Sequence, residues 1–169
     1  MKIERFAMYV ALSTLTLATS RTSAQTPVAA TADPEALFTS PDPKLHANKQ
    51  VALHVVRDLL EANHWDTADQ FIAADYIQHN PLVPDGLAPV KKFFSGRKPT
   101  TIPTDSKSWK TKVVSVTAED DRVVVAFVRE LPDPRTPGKT YTTTWFDMWR
   151  VMDGKVIEHW DAATVPSPR

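Results

Sequence analysis

The hydrophobic period of this chain changes once, near Thr100, and that change restricts its fold more than any other feature. Before it, apolar residues recur at helical spacing; after it, they gather in short Val-rich, strand-like runs. In "KLHANKQVALHVVRDLLEAN", Val51, Val55 and Leu59 form one row at i, i+4, i+8, and Ala52, Val56 and Leu60 the next. Gln50, His54, Arg57, Asp58 and Glu61 fall opposite, so an amphipathic helix is predicted from about Lys44 to Ala62. "WDTADQFIAADY" predicts a short helix capped by Asp66, with Asp69 in its first turn. "YIQHNP" reads as short and extended, because Pro81 keeps Asn80 out of helical geometry. "DGLAPVKKFFSG" places Leu87, Val90 and Phe94 on one helical face and stops at Gly96.

Beyond Thr100, "KSWKTKVVSVTA", "RVVVAFVREL", "KTYTTTWFDMWRV" and "KVIEHWDA" read as four antiparallel strands. Helices first and a meander after them argue α+β: a curved sheet with helices over one face. Such a half-covered sheet encloses a cone-shaped hollow suited to a small molecule.

The first residues have a different character. Lys2 and Arg5 precede a mostly apolar, uncharged run from Phe6 to Ala18, and small residues follow up to Ala24. The run is shorter than the about 20 residues that cross a bilayer as a helix. Residues 1–24 are therefore expected to be a cleaved secretory signal, and the protein to be secreted or periplasmic. Residues 25–43, rich in Pro, Ala and Thr, are expected as a flexible leader, residues 44–165 as the domain and 166–169 as a tail. Without cysteine, an exported fold must stabilise itself by burial alone. The formal charge is zero, and seventeen basic against nineteen acidic residues remain after cleavage. Neither value leaves an electrostatic footprint for nucleic acid or an anionic membrane.

The last hairpin carries the chemistry. "WFDMWRVMDGKVIEHWDA" sets Asp147, His159 and Asp161 among Trp145, Trp149 and Trp160. A two-residue turn at Asp153-Gly154 would put Asp147 and Asp161 on opposite faces. A three-residue turn with Gly154 in the left-handed position would instead pair Asp147 with His159 and Trp145 with Asp161. Trp149 and Ile157 would share that face, leaving Phe146, Met148, Arg150, Val156, Glu158 and Trp160 on the other. The bulged turn is favoured, because it asks positive φ of Gly154 alone.

"YIQHNPLVPDGLAPVKKFF" followed by "FDMWRVMDGKVIEHWDA" resembles the SnoaL-like polyketide cyclase group of the nuclear transport factor 2-like (NTF2-like) superfamily. The resemblance spans roughly Leu45 to Ala163. It implies helices against the concave side of a bent antiparallel sheet, and a homodimer through the outer face. It implies Asp161 as the acid/base of an aldol condensation, His79 as a pocket-lining histidine and Asp147 as a polar pocket residue. The signal peptide departs from antibiotic-pathway cyclases.

A carboxylate beside indoles loses water and becomes a better base toward a carbon acid. The expected chemistry is cofactor-free: Asp161 removes a proton α to a carbonyl, and His79 or His159 holds the oxyanion. Asp147 orients His159 or is itself the base. The ligand is expected to be a small hydrophobic carbonyl compound, contacted by Trp145, Trp149, Tyr76, Phe94 and Ile157. A metal set of His79, His159 and Asp161 is the minor alternative; no metal or other cofactor is expected. Two function classes remain: a cyclase, isomerase or hydrolase, or a non-catalytic binding module of the same fold.

Overall fold

The computed structural model describes residues 25–166; the expected signal at 1–24 lies outside them, as do residues 167–169. Helix α1 runs Pro43–His54. It starts where the sequence allows: Pro43 occupies the first turn, where its missing N–H costs nothing, and the Asp42 side chain accepts from the Leu45 N–H at 2.9 Å. The chain continues without a break as a π-helical segment, Val55–Glu61. The two together cover the predicted amphipathic stretch, and Val51, Ala52, Val55, Val56 and Leu59 are buried. Removing the Leu59 side chain (Leu59→Ala) is expected to lower stability by about 2–5 kcal/mol, read from urea unfolding, because the site is fully enclosed.

Five strands follow: β1 Ile72–Gln78, β2 Val113–Glu119, β3 Arg122–Pro132, β4 Thr140–Met152 and β5 Lys155–Asp161, with α2 (Leu87–Phe94) between β1 and β2. The sheet order is β1-β5-β4-β3-β2. The four C-terminal strands form the antiparallel meander expected. The fifth, β1, lies parallel to β5, so the sheet is mixed and open. "IAADYIQ" thus forms an edge strand where a short helix and an extended piece are expected. Only Trp65–Gln70 coils, as a 3₁₀ turn, and Asp66 does not cap it. The outcome follows from placement: Ile72 and Tyr76 reach the core only if the segment pairs with β5.

The architecture is the expected α+β cone, with helices on the concave face of a sheet whose inner rows include Val123, Val125 and Phe127 of β3. Residues 25–43 do not stand apart as a leader. Thr31 donates its N–H to the Val113 carbonyl at 2.9 Å, and Phe38 is fully buried. A single aromatic has no period, so its burial leaves no pattern in the sequence. Lys49 fastens this segment: its Nζ donates to the carbonyls of Leu37 (3.0 Å), Thr39 (3.2 Å) and Val116 (3.1 Å). No helix among the described residues is long and apolar enough to cross a membrane.

Candidate functional site

The β4–β5 hairpin combines features of both expected turns. Met152 pairs with Lys155 across a two-residue turn in which Asp153 and Gly154 have φ of 50° and 75°. Asp153 tolerates the left-handed region because its short polar side chain bonds locally. The register then shifts within β5: Val151 pairs with Val156 and Arg150 with Glu158, leaving Ile157 as the extra residue of a bulge. Beyond it, Trp149 pairs with His159 and Asp147 with Asp161. The expected facing pairs, Asp147 with His159 and Trp145 with Asp161, are each displaced. The shared face is nevertheless the expected one, because the bulge absorbs the residue that a plain two-residue hairpin would have misaligned. Val156, assigned by sequence to the outer face, is buried against the core and lines the cavity, whereas Ile157 does not.

That face forms one wall of a cavity of about 530 Å³ between sheet and helices. Trp145, Asp147, Trp149, His159 and Asp161 line it, and so do Tyr76 and Phe94. His79 does not. Its ring lies outside, stacked on Trp160 at 4.9 Å, and its Nε2 meets Glu158 at 2.9 Å. In a strand, residues two apart share a face and residues three apart do not, so Tyr76 and His79 cannot both point inward. The inward partners of Tyr76 are Gln78 and Asn80, which the sequence reading passed over.

Gln78 and Asn80 organise the site. The Asn80 backbone N–H donates to Gln78 Oε1 at 3.0 Å, which fixes the orientation of that amide. Gln78 Nε2 therefore donates to the Tyr76 hydroxyl oxygen at 2.6 Å. The same Oε1 accepts from His159 Nδ1 at 2.7 Å. With Nδ1 committed as a donor, Nε2 is the ring nitrogen left toward Asp147 Oδ1, 3.4 Å away. Carrying a proton, it donates to Asp147; without one, it is free to take a proton from a bound molecule. Trp145 Nε1 also donates to Asp147 Oδ1, at 2.9 Å.

The two carboxylates differ in what remains free. Asp161 Oδ2 accepts from Asn80 Nδ2 at 2.6 Å and Oδ1 from the Ala163 N–H at 2.8 Å. Asp147 uses only Oδ1; its Oδ2 has no hydrogen-bond partner among the described residues. Burial raises the Tyr76 phenol well above its ordinary range; the Gln78 hydrogen bond opposes this, and the negative charges of Asp161 and Asp85 add to it. Tyr76 thus keeps its proton, and because its oxygen already accepts from Gln78, that proton is available to a ligand.

Asp147, His159 and Asp161 could also hold a metal ion, since one ligand atom from each lies within 4.8 Å of the others. The expected set with His79 does not form. A cation here would compete with Asn80 for Asp161 and with Trp145 for Asp147.

On the outer face, Glu158 sits between His79 and Arg150, whose Nη1 lies 3.2 Å away. The His79 hydrogen bond, followed by that of Arg150, holds its carboxyl below the usual glutamate range against the opposing effect of burial. A lowered folded value contributes stability above the unfolded value and loses it as pH falls through the folded one. Glu158→Gln should therefore flatten the fall in melting temperature below about pH 4.3.

The family model for the SnoaL-like domain matches residues 51–159, which include Tyr76, Gln78, Asn80, Asp147 and His159. A protein from Bacillus cereus ATCC 10987, provisionally named a polyketide cyclase, shares the fold at TM-score 0.51 and 14% identity, over 83% of this chain and 87% of that one. A protein from Jannaschia sp. CCS1, provisionally named a SnoaL-like polyketide cyclase, does so at TM-score 0.51 and 19% identity, over 73% of this chain and 91% of that one. Comparison with curated proteins gave no match. At these identities the solved structures speak for the fold, and the family match, covering more than half the chain, speaks for descent. The chain belongs to the SnoaL-like domain family.

Proposed function

We propose that this protein is a cofactor-free acid/base enzyme that moves a proton α to a carbonyl in a small, largely apolar compound. The free Oδ2 of Asp147, in a cavity walled by indoles, carries this reading. The C–H bond breaks toward Oδ2, and its electron pair moves to the carbonyl oxygen. Tyr76 donates its O–H to that oxygen as charge develops. The carboxyl then turns to present that proton to His159 Nε2, which lies 3.4 Å from Oδ1, and His159 delivers it to a new carbon or to the alkoxide of an aldol addition, restoring the Asp147 carboxylate. Isomerisation and ring closure share these steps; in hydrolysis water is deprotonated instead, its oxygen attacks the carbonyl, and the leaving group departs with the returned proton. Asp161 was the sequence-based choice for the base. With both oxygens occupied, it suits a supporting role, holding Asn80 and through it Gln78.

The apolar run after Lys2 and Arg5 supports export of the mature domain. The Phe146, Met148 and Trp160 side of the sheet, where Phe146 is exposed, supports pairing of two copies. Transfer of enolisable ketones into D₂O, with loss of the α-proton NMR signal, tests the activity. EDTA-treated protein should exchange as fast as untreated protein. Exchange that vanishes with EDTA and returns with a divalent ion would favour the metal reading, and no exchange across the panel would favour a binding module.

A further inference from the structure

Three basic side chains, Arg97, Lys112 and Arg129, line the same cavity as Asp147 and Asp161. The mature chain is otherwise slightly acidic, so positive charge is concentrated here against the general balance. Among the described residues, Arg97 and Arg129 make no ion pair and no side-chain hydrogen bond; each guanidinium lies over an aromatic ring instead. Arg97 Cζ is 4.7 Å from the Phe94 ring centre, and Arg129 Cζ is 4.3 Å from that of Trp145. Stacking occupies the face of a guanidinium and leaves its in-plane N–H edge open, which is the edge that grips a carboxylate.

The register sets the distance between this charge and the proton-transfer groups. On the inner face of β3 and β4, Val125 pairs with Asp147, Phe127 with Trp145 and Arg129 with Thr143. At about 3.3 Å per residue, the Arg129 row lies roughly 13 Å along the strands from the Asp147 row. Arg129 folds back over Trp145, whose Nε1 donates to Asp147. One indole therefore lies between a cation and the proposed base. Arg129 is exposed, so a neutral ketone would leave its N–H edge to solvent, whereas a ligand carboxylate would meet it.

Resting on the acid/base reading of the cavity, we infer that the ligand is an oxo-carboxylate. Its carbonyl end reaches Asp147, His159 and Tyr76, its apolar middle lies along Trp145, and its carboxylate is held by Arg129 at the mouth.

Binding alone tests this, without turnover. The probes are 4-phenylbutyrate and its methyl ester, titrated by calorimetry at low salt into the full mature chain. The carboxylate should bind about ten-fold or more tightly than the ester, the increment of a charge-assisted hydrogen bond. Arg129→Gln should bring the two to parity by weakening the acid and leaving the ester unchanged, and Arg129→Lys should restore part of the difference. Equal binding of acid and ester by the wild type would overturn the inference. So would binding of neither, or an Arg129→Gln loss shared equally by both. Each of these would leave the catalytic reading standing, because that reading is judged by exchange of neutral ketones.

Discussion

Asp147→Asn is expected to lower kcat about a thousand-fold while changing ligand affinity little, within the range removed with a general base. The asparagine has the same shape, and its carbonyl oxygen can still accept from Trp145 Nε1, now at 2.9 Å from Asp147 Oδ1. Only the proton-accepting Oδ2 is lost. Asp161→Asn should cost much less, about ten-fold on the same scale. Its carboxylate accepts from Asn80 and Ala163, and an amide can satisfy only one of those donors with its oxygen. The order of the two losses matters more than either size. A larger loss at residue 161 would return the base to the end of β5, where the sequence resemblance puts it.

Tyr76→Phe is expected to lower kcat by about a hundred-fold or more, as removal of an oxyanion donor does. The ring stays, so the cavity wall stays. Gln78 Nε2 loses its acceptor at 2.6 Å, which should reduce stability by about 1 kcal/mol, read separately from urea unfolding. Because burial pushes the phenol upward, the wild-type rate should show no alkaline fall from Tyr76 between about pH 8 and 10. A phenylalanine variant with full kcat would remove Tyr76 from the reaction and leave it as wall.

The long first helix was legible from its regular period and strands β2 to β5 from Val- and aromatic-rich runs bounded by polar turns, and the helix-then-sheet order fixed the layers. Strand β1 was not. Ile72 and Tyr76 are buried, but the residues between them are not in strict alternation, and its register against β5 shifts between Ile72 and Ile77. A parallel pairing with the last strand also leaves no local sign. The burial of Phe38 was hidden for a related reason, since one residue makes no pattern.

The site shows the same division. Asp147, His159, Asp161, Trp145 and Trp149 share the expected face, although the turn reading that led there differs from the one observed. Both readings needed one extra residue; the sequence placed it at Gly154, and the fold holds it at Ile157, inside β5. Positive φ at Asp153 made the shorter turn affordable. The missed residues, Gln78 and Asn80, were within reach. Tyr76, Gln78 and Asn80 alternate in "YIQHN", and strand geometry puts them on one face and His79 on the other. His79 has the imidazole chemistry but faces outward, whereas the amides beside it set the orientation of His159.

That orientation is what the proposed proton transfer depends on, and nitrogen-15 NMR of the histidine side chain reads it directly. In its neutral form, His159 should carry its proton on Nδ1, bonded to Gln78, with an unprotonated Nε2 toward the cavity, and Gln78→Leu should abolish that preference. A neutral His159 protonated on Nε2 in the wild type would contradict the account, because no lone pair would then face the bound molecule.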